Sequence, residues 1–423
     1  MSLAERVVVS PELDAWLRET RRMIHVQPET MLEEFQTSAL VQKQLTELGV
    51  TFRSGVGGDG RPLYLSVEQL MRAGITPGPT TGGTGVLGEI RGTRTGAGGK
   101  CVLLRADMDA LPMEEDNDVP YRSRVAGKMH ACGHDAHTTI LMGVAEVLMA
   151  NRDRFDGTVK LMFQPGEEGA GGAAAMINDG ILEDPAVDAA FALHVSPGAR
   201  AGQMTVTEGP TAAAADFFEI VVTGRGGHAA MPHTAVDSTL VAAHIMIALQ
   251  ALVSRETNPF DSAVVTVGKL QAGTATNIIP HTASLSGTVR TFDEAVRGTI
   301  ERRMAELASG IAAGFGASAE TVYLRGYPAM HCHPEAVQLA REVAVELLGA
   351  DNVWDAPPMM AGEDMAFVTA RVPGCMLGLG VANPDRGIIY PPHHPRFDLD
   401  EDALAVGVRV MSGIALRFLE ADV

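Results

Sequence analysis

KCVLLRADMDALP, residues 100–112, has the pattern of a buried β-strand that ends in acidic residues. Similar apolar runs are GVLGEIRG (85–92), TVKLMFQP (158–165) and DAAFALHVS (188–196). Helical patterns near 134–151 and 171–179 lie between these runs, and two amphipathic stretches, 12–26 and 31–48, open the chain. Strands that alternate with helices predict an α/β fold with a mixed, mostly parallel sheet flanked by helices.

The pattern changes from about residue 209. Strand-like and helix-like segments then follow in the order β-α-β-β-α-β, beginning with DFFEIVVTG (216–224) and ending with ETVYLRGYP (320–328). This is the order of a ferredoxin-like unit. We therefore predict that residues 209–327 are inserted between two parts of one catalytic domain, 1–208 and 328–423.

Charge and composition exclude several classes of protein. The 423 residues include 52 acidic and 33 basic ones, for a formal net charge of −19, which argues against a nucleic-acid partner. The first residues have no apolar core of signal-peptide length, and no stretch of eighteen uncharged apolar residues predicts a membrane span. Four dispersed cysteines are too few for a disulfide framework. We expect a cytoplasmic protein with reduced thiols.

The segment MHACGHDAHT (129–138) combines a thiol, three imidazoles and a carboxylate. Thiolates and neutral imidazoles are preferred ligands of zinc-like ions. Cys132 and His134, two residues apart, would face the same way in an extended turn. The segment therefore predicts a metal site, although a free cysteine is often only a small buried apolar residue.

Four further polar clusters stand at or beyond predicted strand ends. They are Asp107 with Asp109, Glu167 with Glu168, His194, and His393 with His394. In sheets of this kind, side chains at the carboxyl ends of strands converge. Each cluster alone has an ordinary explanation, since acidic pairs in loops are usually solvated and a strand-end histidine is often a hydrogen-bonded core residue. Together, their number suits a closely spaced pair of metal ions.

These motifs also occur in a recognisable order. RADMDALP, MHACGHDAHT, FQPGEEGAGGA, ALHV, GRGGHAAMPH, GTATNIIP and HHPRFD resemble the M20 family of metallopeptidases and amidohydrolases. The similarity is greatest to the branch of hippurate hydrolases, N-acyl-amino-acid amidohydrolases and auxin-conjugate hydrolases. The resemblance implies two divalent metal ions per subunit (Zn, Mn, Co or Ni) and five ligands, which are Cys132, His134, Glu168, His194 and His393.

The resemblance also implies roles for other residues near the metals. Glu167 matches the general base of the family, and His393 is preferred to His394 by register alone. Asp107 stands where related peptidases carry a metal-binding histidine, so that direct ligation by it is in doubt, whereas Asp109 is expected to orient a ligand. Three other polar residues of the 129–138 segment are assigned supporting roles. Asp135 is expected to be an orienting or helix-capping group, and His130 and His137 are expected to support the site.

In relatives, the inserted domain acts as a lid and dimerisation unit. The resemblance implies that His228 reaches the neighbouring protomer's site and that Asn277 and Arg290 hold the substrate carboxylate, within a homodimer or higher homo-oligomer. Residues 57–82 depart from the family pattern, in which this connection is short.

The expected activity is hydrolysis of N-acetyl, N-benzoyl or arylacetyl amino acids to a carboxylic acid and an amino acid. Two alternatives stay open at this point. One is a metal-binding relative without turnover, and the other is a hydrolase that uses Cys132 as nucleophile with His134 or His137 as its base.

Overall fold

The computed structural model describes residues 1–57, 83–94 and 99–420. The long connection noted at 57–82 lies, apart from Gly57, outside these residues. In the described chain the α-helices are α1 (Leu3–Arg6), α2 (Pro11–Val26), α3 (Phe35–Glu47), α4 (His134–Ala150), α5 (Gly172–Asn178), α6 (Ser238–Ala251), α7 (Glu294–Gly314), α8 (Pro334–Leu348), α9 (Ala366–Thr369) and α10 (Asp402–Glu420).

The strands fall into one large sheet, one small sheet and two short ladders. In chain order they are β1 (Thr51–Val56), β2 (Gly85–Arg91), β3 (Cys101–Asp107), β4 (Thr158–Gln164), β5 (Ala189–Arg200), β6 (Met204–Val206), β7 (Gly209–Ala212), β8 (Ala214–Thr223), β9 (Gly227–His228), β10 (Ala263–Ala272), β11 (Ile278–Ile279), β12 (Thr282–Thr291), β13 (Ser318–Tyr327), β14 (Met330–Cys332), β15 (Val353–Trp354) and β16 (Gly374–Ala382).

The large sheet has the strand order β1-β2-β4-β3-β5-β16-β6-β15. Its centre, β4-β3-β5-β16, is parallel, and antiparallel pairings join β1, β2 and β6 to it. Every residue of β3 and β4 is buried, as expected for strands covered on both faces. The predicted α/β fold with a mixed, mostly parallel sheet and flanking helices is confirmed.

The register of β3 and β4 positions the polar loops. Asp107, the last residue of β3, pairs with Gln164, the last residue of β4. The chain therefore leaves both strands at the same level, and the loops that carry Asp109 and Glu167 begin side by side. This arrangement agrees with the convergence expected of parallel strand ends.

The second helix begins later than its sequence pattern suggested. We expected it from about residue 31, whereas α3 begins at Phe35. Leu32 has a left-handed backbone with φ of 66°, and its N–H donates to the Glu34 carboxylate at 2.8 Å. A left-handed residue cannot belong to a right-handed helix, so the apolar periodicity extended the prediction into a turn.

The small sheet has the order β10-β12-β8-β13 and is antiparallel. With α6 and α7 it follows the β-α-β-β-α-β order expected, and its apolar residues form a hydrophobic core separate from that of the large sheet. The second core supports the domain division 1–208, 209–327 and 328–423, which stays a prediction.

One helical segment of the small unit, Ser238–Glu256, is long and apolar enough to cross a membrane by length and composition alone. One such helix is weak evidence for a membrane span.

Candidate metal centre

The loop before α4 brings Cys132 and His134 together. Gly133, between them, has φ of 85°, and a Cβ at that position would lie 2.5 Å from a methyl group of Val195. Only glycine combines this backbone with such a close approach. Cys132 and His134 are both buried, and His134 faces Asp109, two residues beyond the end of β3.

His134 has one ring nitrogen engaged and one free. Its Nδ1 lies 3.3 Å from Oδ1 of Asp109, whereas its buried Nε2 has no hydrogen-bond partner among the described residues. Oε1 of Glu168 lies 3.9 Å from this Nε2 and 3.3 Å from Nε2 of His393. A buried polar atom is normally satisfied, so the Nε2 of His134, unpartnered within the described chain and with a carboxylate oxygen near it, fits a cation site.

His194 presents a lone pair to the same place. Its Nδ1 donates to the carbonyl oxygen of Val195 at 2.9 Å, which leaves Nε2 unprotonated in the neutral ring, 3.4 Å from Sγ of Cys132. We expected His194 to end its strand, but β5 continues to Arg200. The pairing of β5 with β3 stops at Ala192, so the sheet opens beside His194 although the strand goes on.

His393 is brought to the cluster and His394 is not. His393 has a left-handed backbone with φ of 62°, its N–H donates to the Ala131 carbonyl at 2.8 Å, and its Nε2 lies 3.3 Å from Oε1 of Glu168. His394 stacks on Tyr390 with 4.4 Å between ring centroids. Left-handed backbone at a residue other than glycine is strained and is concentrated at functional sites.

The donor atoms form two overlapping groups. Cys132, His134 and His194 offer donor atoms within 4.8 Å of one another, and so do Cys132, Glu168 and His393. The sulfur, nitrogen and oxygen donors suit zinc-like divalent ions. The residues present therefore fit a pair of divalent ions, and Cys132 belongs to both groups of donors.

The negative charge of the cluster raises the pKa of two of its imidazoles. Hydrogen bonds to Cys132 and Glu168 raise the pKa of His393 to about 10. Burial lowers the pKa of His134, but Asp107 and Cys132 outweigh it and hold that pKa well above its usual range. The centre therefore requires positive charge, which either protons or metal ions supply.

Glu167 lies beside the donor groups in a buried, acidic setting. Its carboxylate is within 4.8 Å of donor atoms of His134 and Glu168 on one side and of Glu363 and Asp364 on the other. Burial, with help from Glu363 and Glu168, raises the pKa of Glu167 well above its usual range. Such a carboxylate is more basic than a solvated one, which suits it to accept a proton near neutral pH.

Asp109 orients both glutamates and one histidine. Its Oδ1 and Oδ2 accept the backbone N–H groups of Glu167 and Glu168, each at 3.0 Å, and Oδ1 also faces His134. All its polar contacts with the cluster are hydrogen bonds to other groups, and its orienting role stays a prediction.

His137 and Asp107 form a pair beside the cluster, and Oδ2 of Asp107 lies 3.8 Å from Nε2 of His134. Nε2 of His137 accepts the N–H of Val195 at 2.9 Å, so Nδ1 carries the proton and donates to Asp107 at 2.6 Å. Burial lowers the pKa of His137 to about 4, which keeps the ring neutral. Both nitrogens of His137 are engaged, and this argues against its use as a base for a Cys132 nucleophile.

Sequence reasoning missed the buried charges that surround Asp107. Arg105 is fully buried and pairs with Asp107 at 2.7 Å, Asp364 at 2.9 Å and Glu363 at 3.0 Å. The available signals were an arginine inside an apolar strand run and the acidic pair of MAGEDMAFV (360–368). Neither signal identifies its partner, because more than 250 residues separate Arg105 from Asp364 along the chain.

Asp135 belongs to a second buried network, formed with residues of α2. It pairs with Arg21 at 2.8 Å and with His25 at 2.7 Å. Arg21 and His25 both come from α2, so this network fixes the start of α4 to α2. His130 lies nearby, 6.2 Å from His25 between ring centroids, and neither of its ring nitrogens has a partner among the described residues.

The three residues expected to bind substrate lie on the small-sheet side. His228 in β9 pairs with Ile278, next to Asn277, so two of the three come together. Arg290 is in β12, where it donates to the Val289 carbonyl at 3.0 Å. Within the described ranges, no hydrogen bond or ion pair joins these three residues to the Cys132 cluster.

Comparison with known proteins identifies the family of this chain. The model of peptidase family M20/M25/M40 matches residues 103–417, which span all the donor residues described above. The chain belongs to this family. The resemblance predicted from the sequence motifs is thereby confirmed, and the protein is a hydrolase of the M20 family.

Family members of several kinds are similar over nearly the whole chain. The N-acetyl-L-cysteine deacetylase of Bacillus subtilis is 37% identical, over 95% of this chain and 88% of its own. An IAA-amino acid hydrolase of Arabidopsis thaliana is 36% identical, over 96% of this chain and 86% of its own. The crystal structure of the Bacillus subtilis YXEP protein, described as a dinuclear metal binding peptidase of the M20 family, has a TM-score of 0.78 at 33% identity, over 97% and 99% of the two chains.

Proposed function

We propose that this M20 hydrolase cleaves the amide bond of N-acyl amino acids, with two divalent metal ions and with Glu167 as general base. The observation that carries the proposal is the sharing of Cys132 by two groups of donor atoms, with the Glu167 carboxylate next to both. The acyl groups proposed are acetyl, benzoyl and arylacetyl, in keeping with the names of the relatives. One ion would be held by Cys132, His134 and His194, and the other by Cys132, Glu168 and His393.

When bound, the two ions would lower the pKa of water and polarise an amide carbonyl. Glu167 takes a proton from the water that attacks the carbonyl carbon, and it returns that proton to the nitrogen of the leaving amino acid. The acyl carbon keeps the new oxygen, so the products are a carboxylic acid and a free amine. Asp109 fixes the backbone of Glu167 and Glu168 while this proton moves.

Substrate recognition is assigned to the 209–327 unit, which we propose acts as a lid and dimerisation domain. Asn277 and Arg290 would hold the substrate carboxylate, since the planar guanidinium fork pairs with both carboxylate oxygens. His228 is exposed and has no contact with the cluster of its own chain among the described residues, which supports its use in the partner's site of a homodimer. A cytoplasmic location is part of the proposal, and the four buried free cysteines support it.

The test is product detection with protein reconstituted separately with Zn²⁺, Mn²⁺, Co²⁺ and Ni²⁺. The panel contains N-acetyl, N-benzoyl and indoleacetyl amino acids, together with dipeptides that carry a free amine. We expect release of free amino acid from the N-acyl compounds, and preferential cleavage of the dipeptides would instead identify a peptidase. The proposal would be contradicted if the protein hydrolysed none of the compounds in the panel.

The variant Glu167→Gln tests whether Glu167 is the general base. Gln keeps the size of the side chain but cannot accept the proton, so we expect turnover to fall by at least about a thousandfold while metal content stays normal. Retention of activity would remove Glu167 from the mechanism. Inactivation by a chelator, reversed by added metal, separates this mechanism from one with a Cys132 nucleophile, which would be indifferent to chelation.

A further inference from the structure

The polypeptide crosses between the two sheets at two adjacent places. The first crossing leads from β7 to β8 and the second from β13 to β14, and β7 pairs with β14 through Met330 and Ala212. Tyr327, the last residue of β13, stands at the second crossing and is paired with Ala215 at the first. Its side chain leaves the small sheet and enters the loop that carries the two glutamates.

The hydroxyl of Tyr327 joins both ends of that loop. It donates to the backbone carbonyl of Glu167 at 2.6 Å and accepts the N–H of Gly171 at 3.1 Å. Tyr327 is buried, so these bonds are protected from water. The Glu167 carbonyl also accepts the N–H of Gly169 at 2.6 Å, within the loop itself.

The ring of Tyr327 lies between Phe367 and Gly362. The ring of Phe367 packs edge-on against it with 6.0 Å between centroids. On another side lies Gly362, where an added Cβ would come within 3.4 Å of the tyrosine ring and 2.8 Å of Ala215. The hydroxyl therefore has little freedom to move relative to the loop.

The strand end that carries Tyr327 is itself fixed within the small unit. Asp216 accepts the N–H of Gly326 at 2.8 Å, the Tyr323 hydroxyl at 2.8 Å and the Arg297 guanidinium at 2.6 and 2.8 Å. Asp216 and Arg297 are both buried. A buried carboxylate with four hydrogen bonds holds its partners firmly, so the backbone next to Tyr327 moves with the small sheet.

We propose that Tyr327 is a positioning residue that sets the placement of Glu167 from the 209–327 unit. This inference rests on the proposed role of Glu167. Asp109 holds the N–H of Glu167 from the large sheet, and Tyr327 holds its carbonyl from the small one. The base is therefore fixed from both units, and its placement depends on how the small unit sits on the large one.

The test compares Tyr327→Phe with Tyr323→Phe. Both changes remove one hydroxyl from the same strand, but that of Tyr323 bonds to Asp216 inside the small unit. For Tyr327→Phe we expect kcat on the best N-acyl substrate to fall by roughly five- to tenfold, with KM and metal content little changed. Tyr323→Phe leaves Asp216 its bonds from Gly326 and Arg297, so the strand end stays fixed and we expect kcat within about twofold of wild type, whatever the loss in thermal midpoint.

Amide hydrogen exchange of the Zn²⁺-loaded protein supplies a readout that needs no turnover. In the wild type the Gly171 amide should be protected, and in Tyr327→Phe, but not in Tyr323→Phe, it should exchange at least about fivefold faster. An unprotected Gly171 in the wild type would overturn the proposal even if the variant did not fold. Unchanged exchange, or faster exchange with wild-type kcat, would also overturn it.

Failure of the proposed function gives a different pattern of results. If no N-acyl compound is turned over by the wild type, that function fails, while the exchange comparison still decides whether Tyr327 fixes the loop. Faster exchange confined to the 167–171 loop supports the positioning role, and unchanged exchange overturns it.

Discussion

The Asp109 carboxylate accepts the backbone N–H of Glu167 at 3.0 Å, and its other oxygen accepts that of Glu168 at the same distance. One side chain thus aligns two consecutive residues for which we propose different tasks. A carboxylate suits this position because it has only acceptors, whereas an amide would turn a donor toward one of the two N–H groups.

Asp109→Asn is therefore expected to lower both metal affinity and kcat. The amide NH₂ would oppose either the Glu167 or the Glu168 N–H, so the loop would shift, and an orienting partner of a metal site is typically worth about 10- to 100-fold. Metal titration and steady-state kinetics check this. As a control, Asp188→Asn alters a carboxylate that accepts one N–H, from Cys101 at 2.7 Å, at the start of β3. Equal losses in the two variants would contradict the prediction.

Metal binding should release protons. His393, with its pKa raised to about 10, is protonated in the metal-free protein at neutral pH and must lose that proton to become a ligand, and the raised pKa of His134 acts in the same direction. The apparent affinity for Zn²⁺ should therefore weaken as pH falls from 8 to 6. Calorimetry at one pH in two buffers of different ionisation enthalpy measures the release directly.

The variant His393→Asn is the control for proton release. It lacks the protonated ring of His393, so fewer protons should be released per ion bound. Binding enthalpies that are the same in both buffers for the wild type would count against the protonated cluster.

Glu34 should make stability depend on pH. Burial and the nearby Asp109 raise the pKa of Glu34 from its usual 4.5 to about 8. The folded protein then keeps a proton that the unfolded chain releases, so the free energy of unfolding falls as pH rises from about 4.5 to about 8. The Glu34 side chain therefore stabilises the folded protein most at the acid end of this pH range.

Glu34→Gln should remove this dependence. Gln can still accept from the N–H groups of Leu32 and Gly166, which bond to the carboxylate at 2.8 and 2.9 Å, and it can donate to Thr84. Relative to wild type, the variant should gain stability steadily between pH 5 and pH 8, as urea unfolding would show. Glu47→Gln, at an exposed helix position, is the control. A constant difference across this range would show that Glu34 is ionised in the folded protein.

Lys160→Met should destabilise the large domain core. The buried Lys160 ammonium donates to the carbonyls of Ile181 and Pro185 at 3.0 and 2.9 Å and also to that of Glu183. Methionine fills the space but leaves three carbonyls without this donor, which costs about 2–4 kcal/mol in the free energy of unfolding. Lys43→Met, whose side chain is 70% exposed, should change that free energy by less than about 0.5 kcal/mol. Equal losses of stability in Lys160→Met and Lys43→Met would contradict the prediction that the buried Lys160 ammonium stabilises the core.

The sequence was sufficient to place the strands and to select polar residues that the structure brings together, because both carry local signals. The apolar runs of β3 and β4 and the polar residues just after them show where the strands end and where chemistry begins. Register alone favoured His393, and the structure brings that residue, not its neighbour, to Glu168. In these cases the decisive information lies within ten residues.

The supporting residues could not be predicted in this way. Arg105, Asp364 and Tyr327 each act through a partner more than 150 residues away, so no local pattern announces the pair. The turn at Leu32 was missed because it depends on the Glu34 carboxylate, which also holds the distant Gly166. Sequence periodicity reports which face is buried, but it does not report which buried charges meet.

Asp107 pairs with Gln164 at the ends of β3 and β4, so the centre depends on the native register of these two strands. Successive strand residues face opposite sides of the sheet, so a slip of one residue between β3 and β4 would turn Arg105 and Asp107 away from their partners. Their buried charges would then be uncompensated, which would cost several kcal/mol of folding free energy for each charged side chain. The residues that support catalysis thus also penalise misaligned sheets, and a chain that has assembled this centre has its central strands in the native alignment.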